Sequence, residues 1–520
     1  MDKYTLPRCS VLFSDRIELP KTFDAALPEY CPGIQKIVKS HAAVTEVSAE
    51  TEAGAVTVNG KAVVHVTYLS DQNGYLKTVA FPFDFEHTFD AAKAQASDGS
   101  PEASAEAYAV AVGVKPKGPR NMEIKTNLAL CATLFDCGET ALLTPESVSD
   151  AELHACTTTA AIHVKLTDSP EPLTEDITLD AGLAPIAEIT DSTVKLFLND
   201  IRTEEGMLKY GGTAVFRCTY RAESAPDATA ADYVYLTKEI PVNGEIADGR
   251  LQSGMTVTGR ILPAQTEAAS SFDPYGESRV INATVGYTVC FDAFDETEIE
   301  YFDDGYCAAY ECDFETGSHS FERLCGTVKD AVRIEEKLHA DRSQLVNVTD
   351  ADMTLHISGA EVSDGRLFAV GKAGVLISGS DEKGEPECMQ TTFAVHLPIE
   401  SVHDALPENR YLMNTRITAC NAVLRDGEIL LTADAETDGV ILEKCRISAI
   451  DRAEVHYDAP KPLCKAEYII YYPDEGETLW QIAKKYEIPA EALCSANGIG
   501  GGMDGCVGNE RKTIVIPCQV

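Results

Sequence analysis

One spacing recurs three times along the chain and constrains its fold more than any other feature. From Gly54, Val56 follows at plus two, Gly60 at plus six, Ala62 at plus eight, Val64 at plus ten, Val66 at plus twelve and Tyr68 at plus fourteen. From Gly206 the same offsets read Leu208, Gly212, Ala214, Phe216, Cys218 and Tyr220; from Gly365 they read Leu367, Gly371, Ala373, Val375, Ile377 and Gly379. Apolar residues two apart are the mark of a strand with one buried face. The glycine at plus six follows Asn59 in the first copy and Gly211 in the second, which predicts a tight hairpin turn there with positive φ. The origins lie 152 and 159 residues apart. Thin solenoid layers are far shorter, so the repeat predicts three large β units.

Each copy continues in the same way. An extended stretch carrying a proline follows (Phe81-Pro82-Phe83, Ile240-Pro241-Val242, Leu397-Pro398-Ile399), and proline inside such a run predicts an edge strand or strand end. Two further strands close each unit: Tyr108 to Val114 with Ile124 to Phe135, Met255 to Leu262 with Arg279 to Phe291, and Asn414 to Leu424 with Glu428 to Ala435. The last pair is joined by Asp426-Gly427, again turn chemistry. The predicted architecture is mainly β, three tandem sandwich-like domains over 1–168, 169–320 and 321–458, followed by a small βααβ domain over 465–518.

Composition narrows the partners. At 520 residues the chain has room for about three to five domains, with 44% apolar and 24% charged residues, so every part is expected to fold. Lys and Arg total 43 against 83 Asp and Glu, and the net charge of -40 repels nucleic acid and anionic lipid. No run of eighteen apolar residues predicts a membrane span, and Met1 to Leu12 has no apolar core of an export signal. The 17 cysteines are scattered singly without CxxC spacing, which predicts reduced, mostly buried thiols in the cytoplasm and no metal site.

After Ala459-Pro460-Lys461-Pro462 the character changes. Residues 461–520 carry six basic against eight acidic residues, nearly neutral beside the -38 left for the rest by subtraction. A strand from Tyr468 to Tyr472 leads into Thr478-Leu479-Trp480-Gln481, where Thr478 and Gln481 have capping-box spacing. Leu479, Ile482, Ala483 and Tyr486 form one helical face. A second helix from Pro489 ends at Asn497-Gly498, and Thr513 to Pro517 closes the unit.

Gly476-Glu477-Thr478-Leu479, Ile482-Ala483, Tyr486, Leu493, Asn497 and Ile516-Pro517 together resemble the LysM module. That resemblance implies a shallow groove for N-acetylglucosamine glycan between two loops, with Asp474, Gly476, Glu477, Thr478 and Leu479 on the first and Asn497, Gly498 and Ile499 opening the second. Glu477 stands where the family usually has Asp, and Gly500 to Cys506 lengthens the second loop. Leu27-Pro28-Glu29-Tyr30, Ile34-Gln35-Lys36-Ile37 and the Gly54 hairpin resemble the SPOCS repeat. Tandem SPOCS repeats with one LysM module are similar to the layout of SipL-like clostridial spore-coat morphogenetic proteins. This implies a scaffold in the mother-cell cytoplasm at the forespore surface or spore coat, with an ATPase-type coat morphogenetic protein as partner.

No HExxH, GxSxG or phosphate loop is present, so neither catalytic residues nor a cofactor are expected. Gly500-x-Gly502-x-x-Gly505 follows a helix and precedes a strand, the reverse of a dinucleotide site. The acidic run from Asp292 to Asp304 lacks EF-hand spacing and alternates with apolar residues, which predicts solvated strand faces. A second reading stays open: a cell-wall protein that binds peptidoglycan or chitin-type glycan, with a hydrolase site hidden in one β unit.

Overall fold

The computed structural model describes residues 3–518 apart from 53, 93–100, 149, 224–232, 340–344, 463–465 and 500–512. Strand makes up 76% and helix 4%, so the chain is mainly β. The first unit holds β1 (Thr5–Ala26), β2 (Ile34–Glu52), β3 (Ala55–Ser70), β4 (Leu76–Asp90), β5 (Glu102–Pro116) and β6 (Asn121–Ala141). β2, β3 and β4 make one antiparallel meander, while β1, β6 and β5, in that order, make the facing sheet. The recurrent apolar positions explain the pairing of the two sheets. Val56, Val58, Ala62, Val64, Val66 and Tyr68 on β3 are fully buried against Met122, Ile124, Leu128, Leu130 and Ala132 on β6.

The second unit repeats the plan with β7 (Glu152–Asp168), β8 (Leu173–Thr178), β9 (Ile186–Glu204), β10 (Met207–Ala222), β11 (Tyr233–Ala247), β12 (Thr256–Phe272) and β13 (Ser278–Tyr306). The third has β14 (Tyr310–His339), β15 (Asn347–Ser363), β16 (Arg366–Ser380), β17 (Pro386–Ile399), β18 (Arg410–Arg425) and β19 (Glu428–Pro460). In each, the second sheet begins before the meander, with β1, with β7 and β8, or with β14, and is completed by two strands after it. Pro82, Pro241 and Pro398 lie on β4, β11 and β17, the outer strand of each meander. β7 pairs with β13 and so joins the second sheet, and β14 already begins at Tyr310. The unit limits at 168 and 320 read from the sequence therefore separate β7 from its partner and cut β14.

The turns lie elsewhere than the sequence predicts. Asn59-Gly60 and Gly211-Gly212 are inside β3 and β10, and positive φ belongs to the origins: Gly54 at 83°, Gly206 at 75° and Gly365 at 73°. Glu52 pairs with Ala55, Glu204 with Met207 and Ser363 with Arg366 around them. The glycine at plus six serves a different need. Each one lies where the preceding strand carries an irregularity of register, near Val44/Glu46, opposite Gly211/Gly212 and at Ile357/Gly359. The bulged backbone leaves no room for a Cβ: one at Gly212 would sit on the Phe197 carbonyl oxygen, and one at Gly371 on that of His356. Asp426 and Gly427, at φ 51° and 79°, do form the predicted turn.

Beyond the sandwiches the pairs β1/β6, β7/β13 and β14/β19 run on as three ribbons that pack together. Leu6, Leu142, Ala160, Ile299, Phe321, Ile447 and Ala449 form their shared apolar seam, with Tyr4, Phe302 and Ile450 beyond. Cys9 and Cys137 face one another across β1 and β6 and are joined in a disulfide. This corrects the reading of all thiols as reduced: strand pairing brings together residues 128 positions apart, which spacing could not reveal.

The rims of the sandwiches, β2/β5, β9/β12 and β15/β18, face one another around a cavity of about 2660 Å³. Charged residues on these open edges, joined by Arg217 of the central strand β10, bridge the units instead of extending a sheet, a known protection for edge strands. Lys39 pairs with Asp191 at 2.8 Å, Lys195 with Asp352, Arg260 with Glu106 and Arg217 with Asp350. Burial opposes both charges of the first pair, but Asp191 holds Lys39 above its ordinary value and Lys39 holds Asp191 below its own.

Candidate functional site

The carboxyl-terminal module contains β20 (Tyr468–Tyr471), α1 (Leu479–Tyr486), α2 (Ala490–Asn497) and β21 (Ile514–Pro517), with β20 and β21 antiparallel. Thr478 Oγ accepts from Gln481 N at 3.2 Å and the Gln481 side chain accepts from Thr478 N at 3.0 Å, completing the capping box that starts α1. Leu479, Ile482 and Ala483 point into a core shared with Leu493, Ile514 and Ile516. Gly498, at φ 59°, ends α2 in the left-handed conformation.

Four of the eight groove residues expected from the sequence are engaged within the module. Tyr471 OH donates to both Glu477 carboxylate oxygens at 2.9 Å, and Asp474 N donates to the same group at 3.0 Å, so Glu477 closes the first loop. The Asn497 amide donates to Leu493 O and Val515 O and accepts from Val515 N, pinning the end of α2 to β21. Leu479 is core and Thr478 a cap. Asp474, Gly476 and Gly498 remain exposed and Ile499 half-buried. Gly500 to Cys506, with the Gly500-x-Gly502-x-x-Gly505 pattern, lies outside the described residues. On β20 and just beyond it, Tyr468, Ile470 and Tyr472 alternate on one face and are 64%, 66% and 71% exposed.

Trp480, the second residue of α1, faces the body of the protein. It is 6% exposed and buried against the end of the β7/β13 ribbon. Its indole N–H donates to Asp304 Oδ2 at 3.0 Å, its ring meets Tyr306 edge-on at 5.1 Å, and the His154 ring lies 4.9 Å away. Tyr306 OH donates to Ile488 O at 2.8 Å, Lys484 pairs with Asp304, and Lys461 pairs with Glu487 at 2.7 Å. Burial pushes the Asp304 carboxyl up, but Lys484 and the indole N–H outweigh it and hold it below its ordinary value. The acidic run alternates with buried Phe291, Phe294, Ile299 and Phe302 and exposes Glu296, Glu298 and Asp303, as its pattern predicts, while its half-buried members also make specific contacts. Asp292 meets His163 at 2.7 Å, Glu300 meets Lys3 at 2.8 Å, and Asp304 receives the module.

Asp304→Ala should strip Trp480 and Lys484 of their shared acceptor. Hydrogen bonds to charged groups are worth about 1.5–3 kcal/mol, so docking should weaken by that order and Trp480 emission should move to the red. Emission identical to that of the native chain would refute the docking contact.

A second constellation escaped sequence reasoning: His154, Cys156 and Asp303 bring three ligand-type atoms within 4.8 Å of one another. The His-x-Cys spacing on β7 was its only sequence signal, because the third member is about 150 residues away.

Among known families, the LysM domain model matches residues 474–502, which takes in the first loop and both helices. The chain therefore carries a LysM domain, a module type that suggests binding of glycan such as N-acetylglucosamine. Comparison with curated proteins and with solved structures gave no match. Among the described residues, no helix is long and apolar enough to cross a membrane.

Proposed function

We propose that this LysM-bearing chain is a non-enzymatic assembly scaffold of the spore envelope, working in the mother-cell cytoplasm at the forespore surface. Three sandwiches bridged by partly buried ion pairs make the body, and the LysM domain, seated on the ribbons, presents the docking surface to a coat morphogenetic protein of the ATPase type. One observation carries this reading. Two polar side chains of the expected groove, Glu477 and Asn497, are engaged within the module, whereas Tyr468, Ile470 and Tyr472 offer an uncovered apolar face. Rigid aromatic side chains of this kind anchor protein interfaces. The alternative is a glycan-binding cell-wall protein, favoured by the LysM match itself.

The two readings separate in one experiment on the full chain. Tyr468→Ala with Tyr472→Ala should keep the native melting temperature and cut capture of the coat ATPase at least tenfold, since interface tyrosines often contribute more than about 1 kcal/mol each. Chitin oligomers should bind the native chain no more tightly than millimolar. Micromolar chitin binding, with coat-protein capture absent or unchanged in the variant, would overturn the scaffold reading.

A further inference from the structure

β7 and β13 are antiparallel, and their register slips between Phe302 and Asp304, which leaves Asp303 as the unpaired extra residue of a β-bulge. A bulge bends its strand and re-aims the side chain it carries. Across from it, His154 and Cys156 are two residues apart on β7 and share a face. His154 Nδ1 lies 2.7 Å from Asp303 Oδ1 and 3.8 Å from Cys156 Sγ. No other group of three His, Cys, Asp or Glu converges in this way among the described residues.

We propose that His154, Cys156 and Asp303 form a binding site for a borderline-soft divalent cation, Zn²⁺, with a fourth position open to water. An imidazole nitrogen, a thiolate and one carboxylate suit zinc, whereas Mg²⁺ and Ca²⁺ select all-oxygen sets. Zinc bonds of about 2.0–2.3 Å place tetrahedral ligand atoms roughly 3.3–3.8 Å apart. The sulfur and nitrogen already stand at that separation. The His154–Asp303 pair is a hydrogen bond, and its atoms part by less than about 1 Å when the metal takes the place of the proton between them. The imidazole then carries its proton on Nε2, Cys156 becomes a thiolate, and its thiol proton is released to solvent. The side chains are 19% and 40% exposed at His154 and Asp303, so an ion can enter from water.

The site also touches the docked module. The bulge directs Asp303 to the metal and the next residue, Asp304, to Trp480 and Lys484, and the His154 ring packs against the Trp480 ring. Bound zinc fixes the bulge and the imidazole together, and thereby steadies the surface on which the LysM domain sits.

The test uses the full reduced chain, stripped with a chelator and titrated with Zn²⁺ and with Co²⁺. One equivalent should bind with micromolar or tighter affinity, with a saturable change in Trp480 emission. Co²⁺ should give a thiolate-to-cobalt charge-transfer band. Cys156→Ser, which conserves volume, and Asp303→Asn, at a half-exposed position, should each weaken binding at least tenfold, while Cys325→Ser, removing an exposed thiol on β14, should change neither signal. An emission that does not respond to metal, or signals that persist in both Cys156→Ser and Asp303→Asn, would overturn the site.

Discussion

Gly212→Val is expected to cost the second sandwich about 3 kcal/mol or more, although the glycine has no unusual φ. A side chain there collides with the Phe197 carbonyl oxygen, and its Cβ would lie 3.2 Å from the carbonyl carbon and 3.4 Å from Leu198 Cα. Those atoms are main chain. They cannot turn aside as a flexible side chain would, so the β9–β10 ladder must open or the valine must distort its own strand. Overpacking in a well-filled core costs about 1–3 kcal/mol, and lost ladder hydrogen bonds add to that. Gly371→Val should behave alike, since its Cβ would lie 2.8 Å from Ile357 Cα as well as on the His356 oxygen. Gly113 on β5 has nothing within 4 Å of a built Cβ, so Gly113→Ala should be neutral or stabilise by up to about 1 kcal/mol. Urea unfolding of the three variants decides the matter; equal midpoints for Gly212→Val and Gly113→Ala would refute it.

Acid should loosen the junction of the three units well before most carboxylates titrate. His41 and His65 stack at 4.8 Å between ring centres on the cavity wall, where Lys39, Asp191 and Asp352 face them. Burial, reinforced by Lys39, pushes His41 down to about 3; burial also lowers His65, and His356 on the opposite wall. Folded, these imidazoles stay neutral, whereas in the unfolded chain each takes up a proton near pH 6.5. The unfolded state then binds more protons as pH falls, and below pH 6.5 stability drops by about 1.4 kcal/mol per pH unit for His41. His65 and His356 add to this in the same direction, since burial lowers both. Relief of mutual repulsion among the 83 Asp and Glu acts in the opposite direction, but mainly nearer their own pKa of about 4. Unfolding midpoints at pH 7.5, 6.5 and 5.5 should fall progressively, with a shallower slope in His41→Gln. A flat profile in the native chain would exclude this device.

Even offsets from Gly54, Gly206 and Gly365 were legible because each copy is the central strand of a meander, with one face wholly inward. The turn was misplaced because Asn59-Gly60 has strong local hairpin chemistry that continuous pairing of β3 with β2 and β4 overrides. At plus fourteen, Tyr68 and Tyr220 donate to Pro32 O and Ala184 O. In the third copy Leu345 and Asn347 move into that space, which is why Gly379 breaks the pattern. The LysM domain was readable nearly throughout, since its caps and core lie within about fifty residues. What the sequence hid are meetings at long range: Cys9 with Cys137, Trp480 with Asp304, Asp303 with His154. Alternation along a strand names its buried face but not the strand beside it.

The interrupted second sheets also set a timetable for synthesis. β1 leaves the ribosome well before its ladder partner, β6, which brings Cys137 to Cys9 after 128 further residues. At roughly 5–20 residues per second, that is a wait of roughly 6 to 26 s with one strand's amides and carbonyls unclaimed. β14 repeats the exposure with β19, again across an intervening meander. Such intervals allow pairing with a neighbouring nascent chain, so translation speed and ribosome spacing bear on the yield of correctly closed protein.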